Sequence, residues 1–260
     1  MGLADLHIHT TYSYDGTSSV SGVLKYAAHH TRLDIIAITD HNQVYGALEA
    51  VEMAPSYGIE VIPGVEISSA EGHVLALFVT QTPPTGLSLE KTVLRTMELG
   101  GLCIIPHPMI NSRLGVHPGA IRRALADPLV AKGLVGVEVF NTGTASVQSN
   151  GRALALCKTL PLAQVGSSDA HMDWVIGLGV TRFPGKSIAD LHRALLMRQT
   201  EAIGIRPINR SDFFIRYIPR LVLRHAGWVT YNIAPSEPSR LLWRGYQRAR
   251  RSTIRRQAGA

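Results

Sequence analysis

Residues 3–9 read Leu-Ala-Asp-Leu-His-Ile-His, an apolar run of strand length that ends in two histidines. His7 and His9 are two apart, so on a strand their side chains share one face. The same design recurs along the chain. Further strand-length apolar runs are read at 34–38, 60–67, 74–79, 102–106, 134–140 and 162–167. They are rich in Ile and Val with little polar alternation, as in strands buried on both faces. Helix-length segments lie between most of them, at 19–30, 43–57, 88–99, 119–126, 146–159 and 187–199. Alternating strand and helix implies parallel β/α units, and six or seven of them in about 200 residues fit a small barrel better than an open sheet. One connection differs. Only six residues, Ser68 to His73, separate Ile67 from Val74, too few for a crossover helix, so these strands are expected to form a hairpin.

Polar residues able to bind metal sit at the ends of these runs. His7 and His9 close the first, Asp40 and His41 follow the second, and Glu66 closes the third. His107 follows the fifth, and Asp169 and His171 follow the last. In a barrel of parallel β/α units, functional residues gather at the carboxyl ends of the strands. His73 begins a strand instead, but the hairpin returns it to the side of Glu66. Asp15, in a Ser-Tyr-Asp-Gly turn six residues after His9, is close enough to fold over the same rim. The candidate metal ligands are therefore His7, His9, Asp15, His41, Glu66, His73, His107, Asp169 and His171. Imidazole and carboxylate without cysteine suit Mn²⁺, Fe²⁺ or Zn²⁺. Nine ligands exceed one metal and suit two or three, with a carboxylate such as Glu66 bridging. Such clusters hold a hydroxide between metals and clamp both oxygens of an in-line displacement.

Composition narrows the alternatives. Hydrophobic content of 45% and charged content of 17% describe a globular chain of 260 residues, not a disordered one. Two cysteines, Cys103 and Cys157, in apolar surroundings are expected to be buried thiols rather than a secreted disulfide framework. No run approaches the length of a membrane span and the first strand begins almost at Met1, so a cytoplasmic location is expected.

The motifs Asp-Leu-His-Ile-His at 5–9, Thr-Asp-His at 39–41, Pro-Gly-Val-Glu at 63–66, His-Pro at 107–108 and Ser-Asp-Ala-His at 168–171 resemble those of the PHP (polymerase and histidinol phosphatase) family. The resemblance covers about residues 3–204. It implies a distorted (β/α)7 barrel with a trinuclear metal centre that hydrolyses phosphoesters. It also implies a division of ligands: His7, His9, Glu66 and Asp169 on one metal, Asp15, His41 and Glu66 on a second, and His73, His107 and His171 on the third. Asp15, His41, Glu66 and Asp169 become the residues assigned to catalysis. Asp5 and Asp40 become groups that orient imidazoles, and Glu138 a supporting carboxylate. The stand-alone members it most resembles act on nucleoside bisphosphates or RNA ends. They carry an inserted domain where this chain has only the 33 residues between His73 and His107. The expected substrate is a phosphorylated small molecule or nucleotide, a phosphomonoester attacked by water with no covalent phosphoenzyme. A histidinol-phosphate phosphatase and a non-catalytic metal-binding protein are the alternatives. Arg113, in a loop after His107, is a candidate phosphate grip, and His117 a weaker candidate or a turn residue.

Charge divides the chain in two. Residues 205–260 hold twelve Arg against Asp212 and Glu237, a charge of +10 within a total of +7, so residues 1–204 carry −3. The expected organisation is a catalytic barrel over 1–204 and a basic, helical C-terminal extension over 205–260. A helix is expected from Ser211 to about His225, kinked at Pro219, with Arg216, Arg220 and Arg224 in one stripe. A second stripe follows at Arg240, Arg244 and Arg248. Three roles are open for this extension: a helix packed on the barrel with solvated arginines, attachment to an anionic membrane surface, or binding to nucleic acid. It is expected to be dispensable for hydrolysis of a small substrate.

Overall fold

The structure is a computed structural model and describes residues 1–110, 113–143, 147–205, 211 and 213–228. Among the described residues, nine strands form one sheet. In chain order they are β1 (Gly2–Ile8), β2 (Ile35–Ile38), β3 (Glu60–Ser69), β4 (Gly72–Leu77), β5 (Leu102–Ile105), β6 (Leu134–Asn141), β7 (Ala163–Ser167), β8 (Gly179–Phe183) and β9 (Glu201–Gly204). The helices are α1 (Val20–His30), α2 (Tyr45–Met53), α3 (Leu89–Glu98), α4 (Pro118–Leu125), α5 (Val130–Gly133), α6 (Val147–Cys157), α7 (Ile188–Leu196) and α8 (Ile218–Trp228). Three of them start where serine can cap the free backbone donors: Ser19 accepts from Gly22 N, Ser88 from Lys91 N, and Ser187 forms a capping box with Asp190.

The strand order is β7-β6-β5-β4-β3-β2-β1-β8-β9. β1, β2 and β3 are parallel, as are β5, β6 and β7. The expected hairpin is present: β3 and β4 are antiparallel, with Ser68 opposite His73. β8 and β9, absent from the sequence reading, run antiparallel beside β1. The sheet nearly closes on itself. Thr181 Oγ1 donates to Gly166 O and accepts from Gly166 N, joining β8 to β7. At the carboxyl end, His9 N donates to Ala170 O and Ala170 N to His7 O, joining β1 to the segment after β7. This is a distorted (β/α)7 barrel.

Three apolar clusters fill it. The inner one collects residues from many strands, among them Leu6, Ile35, Ile62, Leu75, Ile104 and Val165, together with Leu191 and Leu195 of α7. A second packs α1 and α2 on β1–β3, and a third packs α3–α6 on β4–β6; the third contains both cysteines, which are buried as expected. Among the described residues, no helix is long and apolar enough to cross a membrane.

The strand pairing carries two irregularities that matter for the site. Asp5 pairs with Ile36 and Ile8 with Ile38, so β1 runs three residues where β2 runs two. This bulge reverses the alternation of faces. Ile8 therefore joins the outer cluster while Ala4 and Leu6 stay in the inner one. A second register shift, between Glu138 and Phe140, lies in β6 against β7.

The chain divides into two compact units, Met1–Leu221 and Val222–Ala260. The first unit thus extends past residue 204. Tyr217 is buried in the cluster around α1 and α2, and Ile218 and Leu221 pack against it. A π-helical turn, Phe213–Tyr217, runs directly into α8, so Pro219 lies inside a continuous helical stretch as expected, and the π turn just before it is the break in the α-helical pattern that the missing N–H of a proline calls for. Asp212 and the second arginine stripe lie outside the described residues.

Closure of the barrel makes a stability prediction. A Cβ on Gly166 would lie 2.5 Å from Val180 O and 3.1 Å from Ile203 N, both backbone atoms. Gly166→Ala is expected to destabilise by about 1–3 kcal/mol. Gly151, inside α6 with open space around it, is the control; Gly151→Ala is expected to stabilise by about 0.5–1 kcal/mol. Denaturant midpoints of both variants check this, and an unchanged midpoint for Gly166→Ala would mean that β7 need not approach β8 so closely.

Candidate metal centre

The rim residues converge on one carboxylate. Glu66, at 1% exposure, has its Oε2 at 3.4 Å from His7 Nε2, 3.3 Å from His9 Nε2 and 3.0 Å from His41 Nδ1. Its Oε1 lies 2.7 Å from His73 Nδ1 and 3.0 Å from His107 Nε2. Asp169 Oδ1 is 3.4 Å from both His7 Nε2 and His9 Nε2. Asp15 Oδ2 is 3.3 Å from His41 Nε2 and 3.2 Å from His171 Nε2. All nine residues expected as ligands thus meet at the carboxyl end of the barrel.

Their grouping departs from the expected division. His171 faces Asp15, in a set with His9 and His41, and does not sit with His73 and His107. His73 and His107 both face Glu66 Oε1. The geometry gives neighbouring groups that share members: His7, His9 and His41 against one oxygen of Glu66, with Asp169 against His7 and His9; His73 and His107 on its other oxygen; and Asp15 and His171 beside them, with His41 reaching Asp15 through its other nitrogen.

Neighbouring side chains fix which nitrogen faces inward. His7 Nδ1 donates to Glu138 Oε1 at 3.0 Å, which leaves Nε2 toward the cluster. Ser13 Oγ donates to Asp40 Oδ1 at 2.8 Å, so it must accept from His9 Nδ1, 2.9 Å away. His9 Nε2 is then also directed inward. The two Nε2 atoms stand 3.1 Å apart, both buried. Two lone pairs at that distance repel unless a cation, proton or metal, lies against them. Asp15 Oδ1 and His107 Nδ1 are likewise buried without a hydrogen-bond partner. Spacings near 3 Å are the edges of a coordination shell with metal–ligand distances of about 2.0–2.2 Å. The residues fit a cluster of divalent metals.

Charge shows the same demand. Burial opposes a charge on His7, but Asp169, Glu66 and Glu138 outweigh it and hold its pKa well above the usual imidazole range. Burial likewise opposes charge on His41, yet Asp15 and Glu66 push it up to about 10. Burial would raise the carboxyls of Glu66 and Asp169, and the surrounding imidazoles instead hold both well below the usual range.

The supporting residues differ in part from those expected. Glu138 does support the cluster: besides His7 it accepts from His107 N at 2.8 Å and from Asn141 Nδ2 at 2.7 Å. Asp40 does not touch an imidazole; it acts on His9 through Ser13 and also holds Thr10 N and Oγ1. Asp5 does not orient a ring either. It accepts from Ser168 N and Gly177 N, pinning the segment that carries Asp169, and burial pushes its pKa up to about 6. Ser13 and Asn141 were not expected; a serine two residues before the Asp15 ligand is the only trace of the former in the sequence. Arg113 is exposed. His117 is exposed and caps α4, its Nδ1 accepting from Gly119 N at 3.2 Å.

The PHP domain is matched over residues 5–104 and the PHP-associated region over residues 147–200. The uncharacterized protein MJ1587 of Methanocaldococcus jannaschii is 38% identical over 148 residues, covering 53% of this chain and 81% of that one. The uncharacterized protein MJ0417 of the same organism is 30% identical over 181 residues, covering 69% of each. Among solved structures, the lesion-specific endonuclease PfuEndoQ of Pyrococcus furiosus shares the fold with a TM-score of 0.54 at 12% identity, covering 95% of this chain and 82% of that one. The chain therefore belongs to the PHP-domain family.

Proposed function

We propose that the chain hydrolyses phosphomonoesters at a centre of up to three divalent metals, Mn, Fe or Zn. The observation that carries this reading is the division of Glu66. Its two oxygens face different histidine groups, as a carboxylate bridging two metals would. Metals held there supply a water of lowered pKa and neutralise charge on a phosphoryl group in an in-line displacement.

The protein's own part is positioning. Glu138 and Ser13 set the tautomers of His7 and His9, and Asp40 anchors Ser13. The inner ligands are sealed, while the side chains of Asp169, Asp15 and His171 keep 14%, 18% and 22% exposure. A substrate therefore approaches over that corner. Tyr14, 63% exposed and stacked on His41 at 5.0 Å, forms the wall beside it. Ser13, which lies against the ligand groups, commits its hydroxyl to Asp40 and His9, and both cysteines are buried in the third apolar cluster, which favours attack by water over a phosphoenzyme.

Metal uptake should displace protons. His41 has a pKa of about 10 without metal, so at neutral pH it carries the proton that a metal must replace. Metal affinity is expected to rise with pH across the neutral range up to about 10. Calorimetry in buffers of different ionisation enthalpy measures the released protons; a pH-independent affinity with no proton release would contradict the arrangement. Glu138→Gln is expected to weaken metal binding roughly 10–100-fold.

Turnover is tested on protein loaded with Mn²⁺, with a panel of nucleotides, bisphosphates, sugar phosphates, histidinol phosphate and short RNA. Glu66→Gln is expected to lose both metal and activity. A phosphomonoester made chiral at phosphorus should be hydrolysed in ¹⁸O-water with inversion of configuration, as one in-line displacement requires. Retention of configuration would rule out direct attack by water, and a metal-loaded protein inert to the whole panel would overturn the phosphatase reading.

A further inference from the structure

The matched PHP regions end at residue 200, yet the chain returns to the metal rim after that point. Tyr217, 8% exposed, donates its hydroxyl to the backbone oxygen of Asp15 at 3.0 Å. Its ring meets the ring of His171 edge-on, with centroids 6.3 Å apart and planes at 81°. One turn on, Arg220 Nη1 pairs with Asp173 Oδ1 at 2.9 Å, and Arg216 lies over the ring of Trp174, 4.8 Å from its centre. The segment thus grips two stretches of chain at once: the turn that presents Asp15, and the residues that directly follow His171.

Those two stretches supply one metal group between them. Asp15 Oδ2 and His171 Nε2 face each other at 3.2 Å, and both are among the more exposed ligands. Asp15 sits in a loop, not on a strand. Its backbone is otherwise tied to the His171 side through Thr17, whose N and Oγ1 both donate to His171 O at 2.8 Å. Three other ligands have firmer bases. Glu66 lies on β3, opposite Leu75 of β4 and bridged to His41, His73 lies on β4 opposite Ser68, and His7 lies on β1 with its backbone oxygen accepting from Ala170 N. A loop ligand without such support must be immobilised from outside, because a site needs its ligands held to within about 0.5 Å.

We infer that Tyr217 is a positioning residue for the metal group of Asp15, His41 and His171, and that occupancy of this group depends on the C-terminal segment. This rests on the metal-centre reading above. It sets residues 213–221 apart from the rest of 205–260, all of which was expected to be dispensable for hydrolysis. Two of the arginines of the expected basic stripe, Arg216 and Arg220, are engaged with the body of the protein.

The test uses full-length protein, stripped of metal and titrated with Mn²⁺, comparing Tyr217→Phe with the unaltered chain. Removing one hydroxyl is expected to weaken the binding of one metal equivalent roughly 10-fold and leave the other equivalents unchanged. Melting of the metal-stripped proteins should differ little, and turnover should fall in kcat more than in KM. Identical titrations would overturn the inference. So would equal weakening of every equivalent together with a lowered melting temperature, since that outcome marks Tyr217 as general packing. Arg220→Gln, at an exposed side chain, should act on the same equivalent with a smaller effect and covers the case in which Tyr217 variants fold poorly. An unaltered chain that takes up no Mn²⁺ would instead sink the metal-centre reading, and the inference with it.

Discussion

A carboxylate buried to 1% exposure among five imidazoles is the constraint on which the rest depends. An ionised Glu66 in an apolar barrel would be prohibitively costly without compensating charge. The imidazoles alone do not remove that cost, because two inward nitrogens 3.1 Å apart also need a cation between them. Carboxylates and imidazoles therefore satisfy one another only through protons or metals. The barrel is the frame that holds this arrangement closed, and its inner apolar cluster lies beneath it.

The backbone bends to meet that demand. The bulge in β1 turns the strand where His7 is reached, and the shift in β6 lies beside Glu138, the residue that holds His7. His107 and Asp169 adopt positive φ, 29° and 52°, at the ends of their strands. Such conformations cost of order 1–3 kcal/mol each and persist where the surroundings over-determine them. Here Glu138 holds His107 N, and Asp5 holds the residue before Asp169. The second layer of carboxylates fixes backbone as much as it orients rings.

The fold and the gathering of nine His, Asp and Glu residues at one rim were legible in the sequence because both follow from local pattern. Apolar runs of strand length ending in His, Asp or Glu can be seen without any long-range information. Serines at 19, 88 and 187 mark helix starts for the same reason. What was not legible depends on contacts across the barrel. β8 and β9 are short and lie at the side of the sheet, with Arg182 and Glu201 paired on their exposed face, so their pattern reads as loop. The division of ligands among metal groups, the reach of Asp40 through Ser13, and the role of Asp5 are set by geometry between residues up to about 170 apart. Tyr217 stands 202 residues from its partner Asp15, and nothing near either one announces the pairing.

The same cluster also accounts for how the barrel tolerates different loading states. His41, with a folded pKa of about 10 against an ordinary value of 6.5, binds its proton more tightly when folded. Its contribution to stability is therefore complete below about 6.5 and fades as pH rises through about 10. Glu66 and Asp169, held below their ordinary values, contribute above their unfolded range and lose that contribution as pH falls through their folded values. Between the two limits, protonated imidazoles and ionised carboxylates neutralise one another without metal. A metal entering the cluster replaces protons that already serve the same electrostatic purpose, so loading exchanges one set of cations for another within a preformed frame. The weakest part of that frame is the corner where a loop carboxylate, Asp15, meets His171, and it is there that the chain beyond the family's matched region closes over the rim.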